Sequence, residues 1–269
     1  MKRFWHLFIE PVLISVSAKN IVEIGADTGI NTKNILDYCE KVDGRLVVVD
    51  SKPSFDQKEF EESYGTRFKL MEDISLKVLP AITGYDAILI DGDHNWYTVY
   101  NELKLVEFYA KQHKVQPLIF FHDIGWPYAR RDLYYDPSTI PEEYQKPYDR
   151  KGMVPGQSAL AETGGLNSGL CNAIEEHGKR NGVLTAIEDF LAESEFEYRF
   201  VKIHGARDLG IMVEKSVIAN NPILDALLDS FEVSRVMAKH IQNLEILCTN
   251  RYLEIEECRR LLAMLKESR

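Results

Sequence analysis

Acidic residues and histidines follow two apolar segments of the chain, "YDAILID" (85–91) and "PLIFFHD" (117–123). In chain order they are Asp91, Asp93, His94, His122 and Asp123. If the two segments are parallel strands of one sheet, their carboxyl ends lie at the same edge and these side chains converge. Carboxylate and imidazole groups suit a divalent ion, which makes Asp91, His122 and Asp123 candidate metal ligands. A metal lowers the pKa of a hydroxyl, and a neighbouring imidazole can then take the proton.

Asp93 and His94 each have a second interpretation. Asp93 could cap the helix that begins near Asn95, since a carboxylate there accepts free backbone amides. His94 could be a structural histidine at the start of that helix. Both interpretations stay open at the level of sequence.

A second candidate site follows the first apolar strand. The segment "VEIGADTGINT" (22–32) places Glu23, Gly25, Asp27, Gly29 and Thr32 at a strand-to-helix turn. Glycines let the backbone turn sharply and approach a ligand, and the next helix offers free amide donors. A G-x-G-x-x-G pattern and a P-loop are both absent from the sequence. Because Glu23 lies inside the strand, its carboxylate needs a donor, either a ligand ammonium or a backbone amide.

Two more acids end the strands that come next. Asp50 closes "RLVVVD" (45–50), and Asp73 closes "FKLMED" (68–73). An acid in the position of Asp50 typically accepts ribose hydroxyls, and an acid at Asp73 can accept an adenine amino group. Either residue alone could be a helix cap or a solvated strand end. Their shared position at the ends of adjacent parallel strands favours ligand binding.

The elements that must position these residues alternate between strands and helices. Strands are predicted at 20–24, 45–50, 68–73, 85–91 and 117–123, and helices at about 30–40, 55–64, 75–82, 96–113 and 182–193. The near-continuous apolar strands predict an α/β, doubly wound, Rossmann-like and mostly parallel sheet. The segments "YRFVKIHG" and "LGIMVEK" predict a terminal antiparallel hairpin at the sheet edge. The main domain is expected to span 20–215, with residues 1–19 as an N-terminal helical cover.

The segment 124–170 is rich in Gly, Pro, Tyr and Arg and predicts a lid or substrate loop. The candidate substrate residues are Trp126, Tyr128, Arg130, Arg131, Tyr134 and Tyr135. Aromatic rings beside charged groups suit sugars, while the paired arginines could bind an anionic group. The alternative is a loop that packs against itself through its tyrosines.

Composition narrows the class of protein. The net charge is −10 and the pI is near 5.3, which argues against a general nucleic-acid binder. The cysteines (39, 171, 248 and 258) show no CxxC spacing and are interpreted as reduced thiols in a cytoplasmic protein. No apolar run in the sequence is long enough to predict a membrane span.

The segment 221–269 predicts a C-terminal helical tail. Apolar positions step by three and four from Ile241 to Leu265, with Arg251 as a break, giving a heptad seam of nearly four repeats. Such a seam favours a coiled coil that forms a homo-oligomer or docks to a partner helix. The alternative is a helix that packs on its own domain.

The glycine turn, Asp50, Asp73 and the closing hairpin resemble class I S-adenosylmethionine-dependent methyltransferases over residues 20–215. The resemblance implies that the Gly25 turn holds the methionine part of S-adenosylmethionine, Asp50 the ribose and Asp73 the adenine. The spacing of Asp91 and His94 is similar to that in metal-dependent sugar O-methyltransferases of macrolide and aminocoumarin biosynthesis. That similarity implies Mg²⁺ (or Mn²⁺) at Asp91 and Asp123, with His94 as general base.

His122 departs from this pattern, which usually has a carboxylate there. Because Mg²⁺ prefers oxygen ligands, His122 either shifts the preference toward manganese or iron, or contacts the substrate instead. The Ala26-Asp27 pair also departs from the common Gly-rich form of the turn.

The expected function is methyl transfer from S-adenosylmethionine to a hydroxyl of a sugar or glycoside, in the context of polysaccharide assembly, assisted by a divalent metal. An NAD-type oxidoreductase is disfavoured because the G-x-G-x-x-G turn is missing. The alternative to an enzyme is an inactive scaffold whose C-terminal helices recruit glycan-assembly enzymes.

Overall fold

The computed structural model describes residues 1–267 and contains two sheets. Their strands are β1 (Asn20–Ile24), β2 (Arg45–Val49), β3 (Phe68–Met71), β4 (Ala87–Ile90), β5 (Leu118–His122), β6 (Leu133–Tyr134), β7 (Tyr148–Asp149), β8 (Cys171–Ala173), β9 (Tyr198–Ile203) and β10 (Leu209–Glu214). The main sheet has the order β3-β2-β1-β4-β5-β10-β9, in which only the pairings made by β10 are antiparallel. The predicted parallel sheet with a closing hairpin is confirmed.

Helices cover both faces of the main sheet, as its apolar strands require. They are α1 (Glu10–Ser15), α2 (Ile30–Val42), α3 (Gln57–Tyr64), α4 (Ser75–Val78), α5 (Trp96–His113), α6 (Val183–Glu193), α7 (Lys215–Ala219), α8 (Pro222–Phe231) and α9 (Arg235–Glu267). One core lies beneath α1, α2 and α8, and the other beneath α5 and α6. Within residues 1–267, no helix has the length and apolar character needed to cross a membrane.

The N-terminal residues cover the first core. A 3-10 turn (Lys2–Phe4) and a π-helical turn (Trp5–Ile9) precede α1. Trp5, Ile9 and Leu13 are fully buried in this segment.

The C-terminal tail begins later than residue 221, where the sequence placed it. Helix α8 buries Leu224 and Leu228 completely, and Phe231 packs edge-on against Phe8 at 5.0 Å. The Asn221 side chain donates to the carbonyl of Ser15 at 2.7 Å. Helix α8 is therefore part of the domain core, and the extended tail is α9 alone.

The inserted segment is folded rather than open. Strands β6, β8 and β7 form the second, antiparallel sheet. Asp132 is buried beneath it and accepts hydrogen bonds from the backbone amides of Trp96 (2.7 Å) and Gly182 (2.6 Å). These bonds tie the insertion to the start of α5 and to the start of α6.

Candidate functional site

The turn after β1 brings its backbone against the end of β4. Gly25 has φ +81°, and a Cβ added there would lie 2.3 Å from the carbonyl oxygen of Asp91. The carboxylate of Asp50 accepts the amides of Ala26 (2.7 Å) and Asp27 (3.1 Å). Only glycine meets the space and the backbone conformation at residue 25, and Asp50 fixes the turn from the end of β2.

A cavity of about 290 Å³ opens beside this turn. Seven of the candidate residues named from the sequence line it: Gly25, Asp27, Asp50, Asp73, Asp91, Asp93 and Tyr135. Its volume lies near the lower end of small-molecule pockets, which span about 300–1,000 Å³. The cavity follows the carboxyl ends of β1 to β4, where open α/β sheets bind ligands.

Asp50 and Asp73, the acids that follow β2 and β3, already have partners. The second oxygen of Asp50 accepts the amide of Lys52 at 2.8 Å. Asp73 pairs with Lys77 at 2.5 Å and accepts the amide of Ile74. Each carboxylate oxygen has two acceptor sites, so both acids retain capacity for a ligand hydroxyl or amine.

Glu23, Gly29 and Thr32 lie outside the cavity lining. The Glu23 carboxylate accepts the hydroxyl of Thr32 at 2.6 Å and the amide of Asn31 at 2.8 Å. Burial raises the pKa of Glu23 to about 7, even though both hydrogen bonds oppose the rise. Gly29 precedes α2 with φ +74°. These three residues support the turn from beneath, so the donor that Glu23 requires is supplied by α2 side chains.

Asp91, His122 and Asp123 meet at the ends of β4 and β5. One ligand atom from each lies within 4.8 Å of the others. His122 Nδ1 is 3.1 Å from Asp91 Oδ1 and 3.2 Å from Asp123 Oδ2. Asp123 is buried in a left-handed conformation with φ +56°, and its Oδ1 has no hydrogen-bond partner in residues 1–267. Two carboxylates and one imidazole in this arrangement fit a divalent cation.

His94 packs against the same group. Its Nε2 lies 2.7 Å from Asp123 Oδ2 and 3.6 Å from Asp91 Oδ1, as ion-pair contacts. Burial lowers the pKa of His94, but Asp123 and Asp91 outweigh burial and raise it to about 10. Burial also lowers the pKa of His122, but Asp91 and Asp123 outweigh it and raise the pKa to about 9. Both imidazoles are therefore cationic near neutral pH in this arrangement.

The imidazoles in turn lower the pKa values of the two carboxyl groups. Burial alone would raise the pKa values of Asp91 and Asp123, but the neighbouring cations hold both well below the ordinary range. The amino group of Met1 also lies 2.9 Å from Asp91 Oδ2. We call these two carboxylates, the buried Asp123 and the partly exposed Asp91, the anionic centre; the two imidazoles and the Met1 amino group surround it.

The sequence interpretation missed Arg207, whose guanidinium lies 3.8 Å from Asp123 Oδ1. It lies in the turn between β9 and β10, where Ala206, Arg207 and Asp208 all have positive φ. Leu209 pairs with His122 across β10 and β5, which carries this turn to the end of β5. The predicted antiparallel hairpin could have indicated Arg207, because its turn returns the chain to the edge of the sheet where β5 ends.

Asp93 lines the cavity and accepts the hydroxyl of Thr98 at 3.2 Å. The cap of α5 is Asn95 instead, which accepts the amide of Thr98 at 2.8 Å. The capping interpretation of Asp93 is therefore wrong, and the capping function belongs two residues later.

The substrate residues predicted in the insertion have different surroundings. Tyr135 is exposed at the cavity, and the ring of Tyr128 lies 5.4 Å from that of His94. Arg131 is fully buried and donates to the carbonyls of Ser158, Ala173 and Ile174.

Three other members of that set have partners within the fold. Arg130 makes two hydrogen bonds to Glu188, at 2.6 and 2.8 Å. Tyr134 is buried and donates to Asp132 at 2.9 Å. Trp126 is half-buried against the second core. Tyr128 is likewise buried, and its hydroxyl is hydrogen-bonded to Asn167 and Asn172. The substrate interpretation is therefore kept for Tyr135 only.

Glu102 on α5 is a buried acid behind the cavity wall. Ser75, which lines the cavity, donates its hydroxyl to Glu102 Oε1 at 2.5 Å, and Oε2 has no partner in the described chain. Burial raises the pKa of Glu102 to about 8. An uncharged carboxyl group is thus favoured here at neutral pH.

Glu102→Gln is expected to flatten the pH dependence of folding stability. The folded pKa of about 8 exceeds the ordinary 4.5, so the wild type loses stability as pH rises from about 4.5 toward 8. The slope approaches about 1.4 kcal/mol per pH unit. Urea unfolding at acid and neutral pH should show the variant gaining roughly 1–3 kcal/mol over the wild type at the higher pH.

The control for this prediction is Glu59→Gln, which removes an exposed glutamate from α3. That variant should follow the wild-type pH dependence. Equal slopes for Glu102→Gln and the wild type would show that Glu102 is charged in the folded protein.

Residues 22–124 match the family model of a methyltransferase domain. The matched segment contains the Gly25 turn, Asp50, Asp73 and the anionic centre at Asp91 and Asp123. No curated protein matches the sequence.

Solved structures with similar chain paths include three bound methyltransferases. The S-adenosylhomocysteine-bound methyltransferase PaMTH1 of Podospora anserina is 14% identical, with 76% of each chain covered and a TM-score of 0.47. An O-methyltransferase of Bacillus cereus with S-adenosylhomocysteine is 14% identical, with 76% of this chain and 78% of that chain covered and a TM-score of 0.41. The O-methyltransferase TomG of Streptomyces achromogenes, involved in tomaymycin synthesis and bound to S-adenosylmethionine, is 12% identical, with 77% of this chain and 78% of that chain covered and a TM-score of 0.41.

Proposed function

We propose that this protein transfers a methyl group from S-adenosylmethionine to a hydroxyl of a sugar or glycoside, with a divalent cation at Asp91, His122 and Asp123. The observation that carries the proposal is the position of these three residues. They end β4 and β5 immediately beside the cavity that the Gly25 turn, Asp50 and Asp73 line. A cofactor in that cavity and an acceptor at the anionic centre would therefore be neighbours.

Different cavity residues would bind different parts of the cofactor. The Gly25 turn would hold the methionine part, where the absence of a Cβ leaves the backbone open to close approach. Asp50 would accept ribose hydroxyls and Asp73 the adenine amino group, through acceptor sites that their present partners leave free. Asp27 and Asp91 line the cavity on the turn side. Glu23 and Thr32 would act by supporting the turn.

The anionic centre would hold the cation and position the acceptor. Asp123 contributes a buried oxygen, Oδ1, that accepts no hydrogen bond in the described chain and lies 3.8 Å from the Arg207 guanidinium. Burying such an oxygen is costly unless a closer cation or donor satisfies it. When bound, a divalent cation supplies Lewis acidity that lowers the pKa of an acceptor hydroxyl. His122 adds a nitrogen ligand, which favours Mn²⁺ over Mg²⁺.

His94 is the residue proposed to take the proton of the acceptor hydroxyl. It can accept a proton only in its neutral form, and its present charge is due to Asp123 and Asp91, the proposed cation ligands. The ring of Tyr135, which is exposed at the cavity, lies 6.0 Å from the His94 ring. It provides an apolar surface of the kind that contacts sugar faces. The ring of Tyr128, 5.4 Å from that of His94, is buried within the fold.

Binding and turnover test the proposal in sequence. Titration calorimetry should show S-adenosylhomocysteine binding that tightens when Mn²⁺ is added. Transfer of radiolabelled methyl groups to a panel of free sugars, glycosides, sugar nucleotides and catechol should then favour a sugar hydroxyl and stop with EDTA.

Each outcome has a distinct meaning. No binding of S-adenosylhomocysteine would contradict methyl transfer and favour the scaffold function. Transfer that persists in EDTA would remove the cation from the proposal. Transfer to catechol alone would remove the sugar acceptor.

A further inference from the structure

Helix α9 presents an apolar seam away from the domain. In the heptad assignment, positions a are Ile241, Cys248, Ile255 and Leu262, and positions d are Leu244, Arg251, Cys258 and Leu265. Leu244, Ile255 and Leu262 are 47%, 52% and 58% exposed. Contact with the domain lies near the start of the helix, where Glu245 accepts the amide of Arg207.

We propose that this seam pairs with the seam of a second copy of the chain in a parallel, two-stranded coiled coil. Two of the four positions a are isoleucine and two of the four positions d are leucine, the combination that favours two strands over three or four. A single charged layer, Arg251, costs stability but fixes the register. Three heptads from Leu244 onward meet the usual minimum for such an assembly.

The flanking residues favour a second copy as the occupant. In a parallel pair, each position g faces position e of the other copy, five residues further along. Glu254 then faces Arg259 of the second copy, and Leu247 faces Tyr252. Two Glu–Arg pairs and two apolar pairs form by symmetry. All four of these side chains are exposed in the single chain.

The same residues select the parallel orientation. In an antiparallel pair in which the seams overlap over the same residues, from Ile241 to Leu265, Glu254 faces Glu254 of the other copy. That contact is repulsive. In the parallel arrangement Glu254 also keeps its bond to Arg251 of its own helix, at 2.6 Å. The arginine layer is thus neutralised by the residue that pairs with Arg259 of the second copy.

Sedimentation equilibrium of the full chain should give a dimer. Leu262→Lys, at position a, should weaken dimerisation at least about 100-fold, because it places two cations in the seam. Met264→Lys is the matched control: Met264 is 56% exposed and Leu262 58%, but Met264 lies off the seam. A monomeric wild type, or equal effects of the two variants, would overturn the proposal.

Cysteines of the seam test the orientation. Cys248 and Cys258 are exposed, whereas Cys39 and Cys171 are buried. In the parallel pair each seam cysteine faces the same cysteine of the second copy. Cys248→Ser and Cys258→Ser should therefore both still form a covalent dimer with diamide. This oxidant removes two electrons and two protons from a pair of thiols. Cross-linking of the wild type but of neither variant would show the antiparallel pair and overturn the proposal.

Discussion

Gly25→Ala is expected to lower the affinity for S-adenosylhomocysteine by at least about 100-fold, the equivalent of ~2.7 kcal/mol. The added Cβ would lie 2.3 Å from the carbonyl oxygen of Asp91 and 2.6 Å from the Cα atom of Gly92. Both are backbone atoms, so relief requires the β1 turn and the end of β4 to separate. That movement alters the proposed methionine side of the cavity together with Asp91. Calorimetry with S-adenosylhomocysteine measures the loss.

Gly84→Ala provides a matched control for backbone strain. Gly84 has φ +77°, close to the +81° of Gly25, but an added Cβ there meets no atom within 4 Å. Both variants carry the same conformational penalty, and only Gly25→Ala carries the clash. If Gly25→Ala, folded by circular dichroism, bound S-adenosylhomocysteine as tightly as Gly84→Ala does, the cofactor would not lie against this turn.

The sheet and the edge that carries the site could be predicted from sequence because their signals are local. Apolar runs that stop at Asp50, Asp91 and Asp123 mark strand ends, and parallel topology then brings those ends together. The hairpin was predictable in the same way, from two alternating segments around a turn. These inferences need only the polarity of the chain and the rule that strand ends share an edge.

The partners of polar side chains in the insertion could not be predicted. Arg131 and Tyr134 have the composition of a sugar site, but Arg131 binds carbonyls from distant parts of the segment and Tyr134 binds Asp132. The sequence does not show which carbonyls lack donors. Those carbonyls become identifiable only when β6, β7 and β8 are placed together.

Arg207 and helix α8 were missed for other reasons. Three residues with positive φ that are not glycine carry no signal in the sequence, although their strain is common at functional sites. Pro222 marked the start of a helix correctly, yet periodicity alone could not show that Leu224 and Leu228 enter the domain core. Periodicity defines an apolar face but not the surface that the face contacts.

Asp123→Asn is expected to reduce Mn²⁺ affinity by at least about 100-fold, and methyl transfer at least as strongly. Loss of a residue that only supports a metal ligand costs about 10–100-fold, and Asp123 is proposed as a ligand itself. Asparagine is the suitable replacement because it keeps the shape of the side chain and tolerates the left-handed backbone, here φ +56°. Electron paramagnetic resonance of free Mn²⁺ during titration measures the affinity.

Asp93→Asn is the control, since Asp93 also lines the cavity but bonds to Thr98 and lies outside the cluster of Asp91, His122 and Asp123. It should bind Mn²⁺ as the wild type does. S-adenosylhomocysteine binding should survive in both variants, because Asp123 is absent from the cavity lining and Asp93 keeps its shape as asparagine. Equal Mn²⁺ affinity in Asp123→Asn and the wild type would show that the Asp123 carboxylate serves only the imidazoles of His94 and His122. The centre at the ends of β4 and β5 would then be an ion-pair network without a metal.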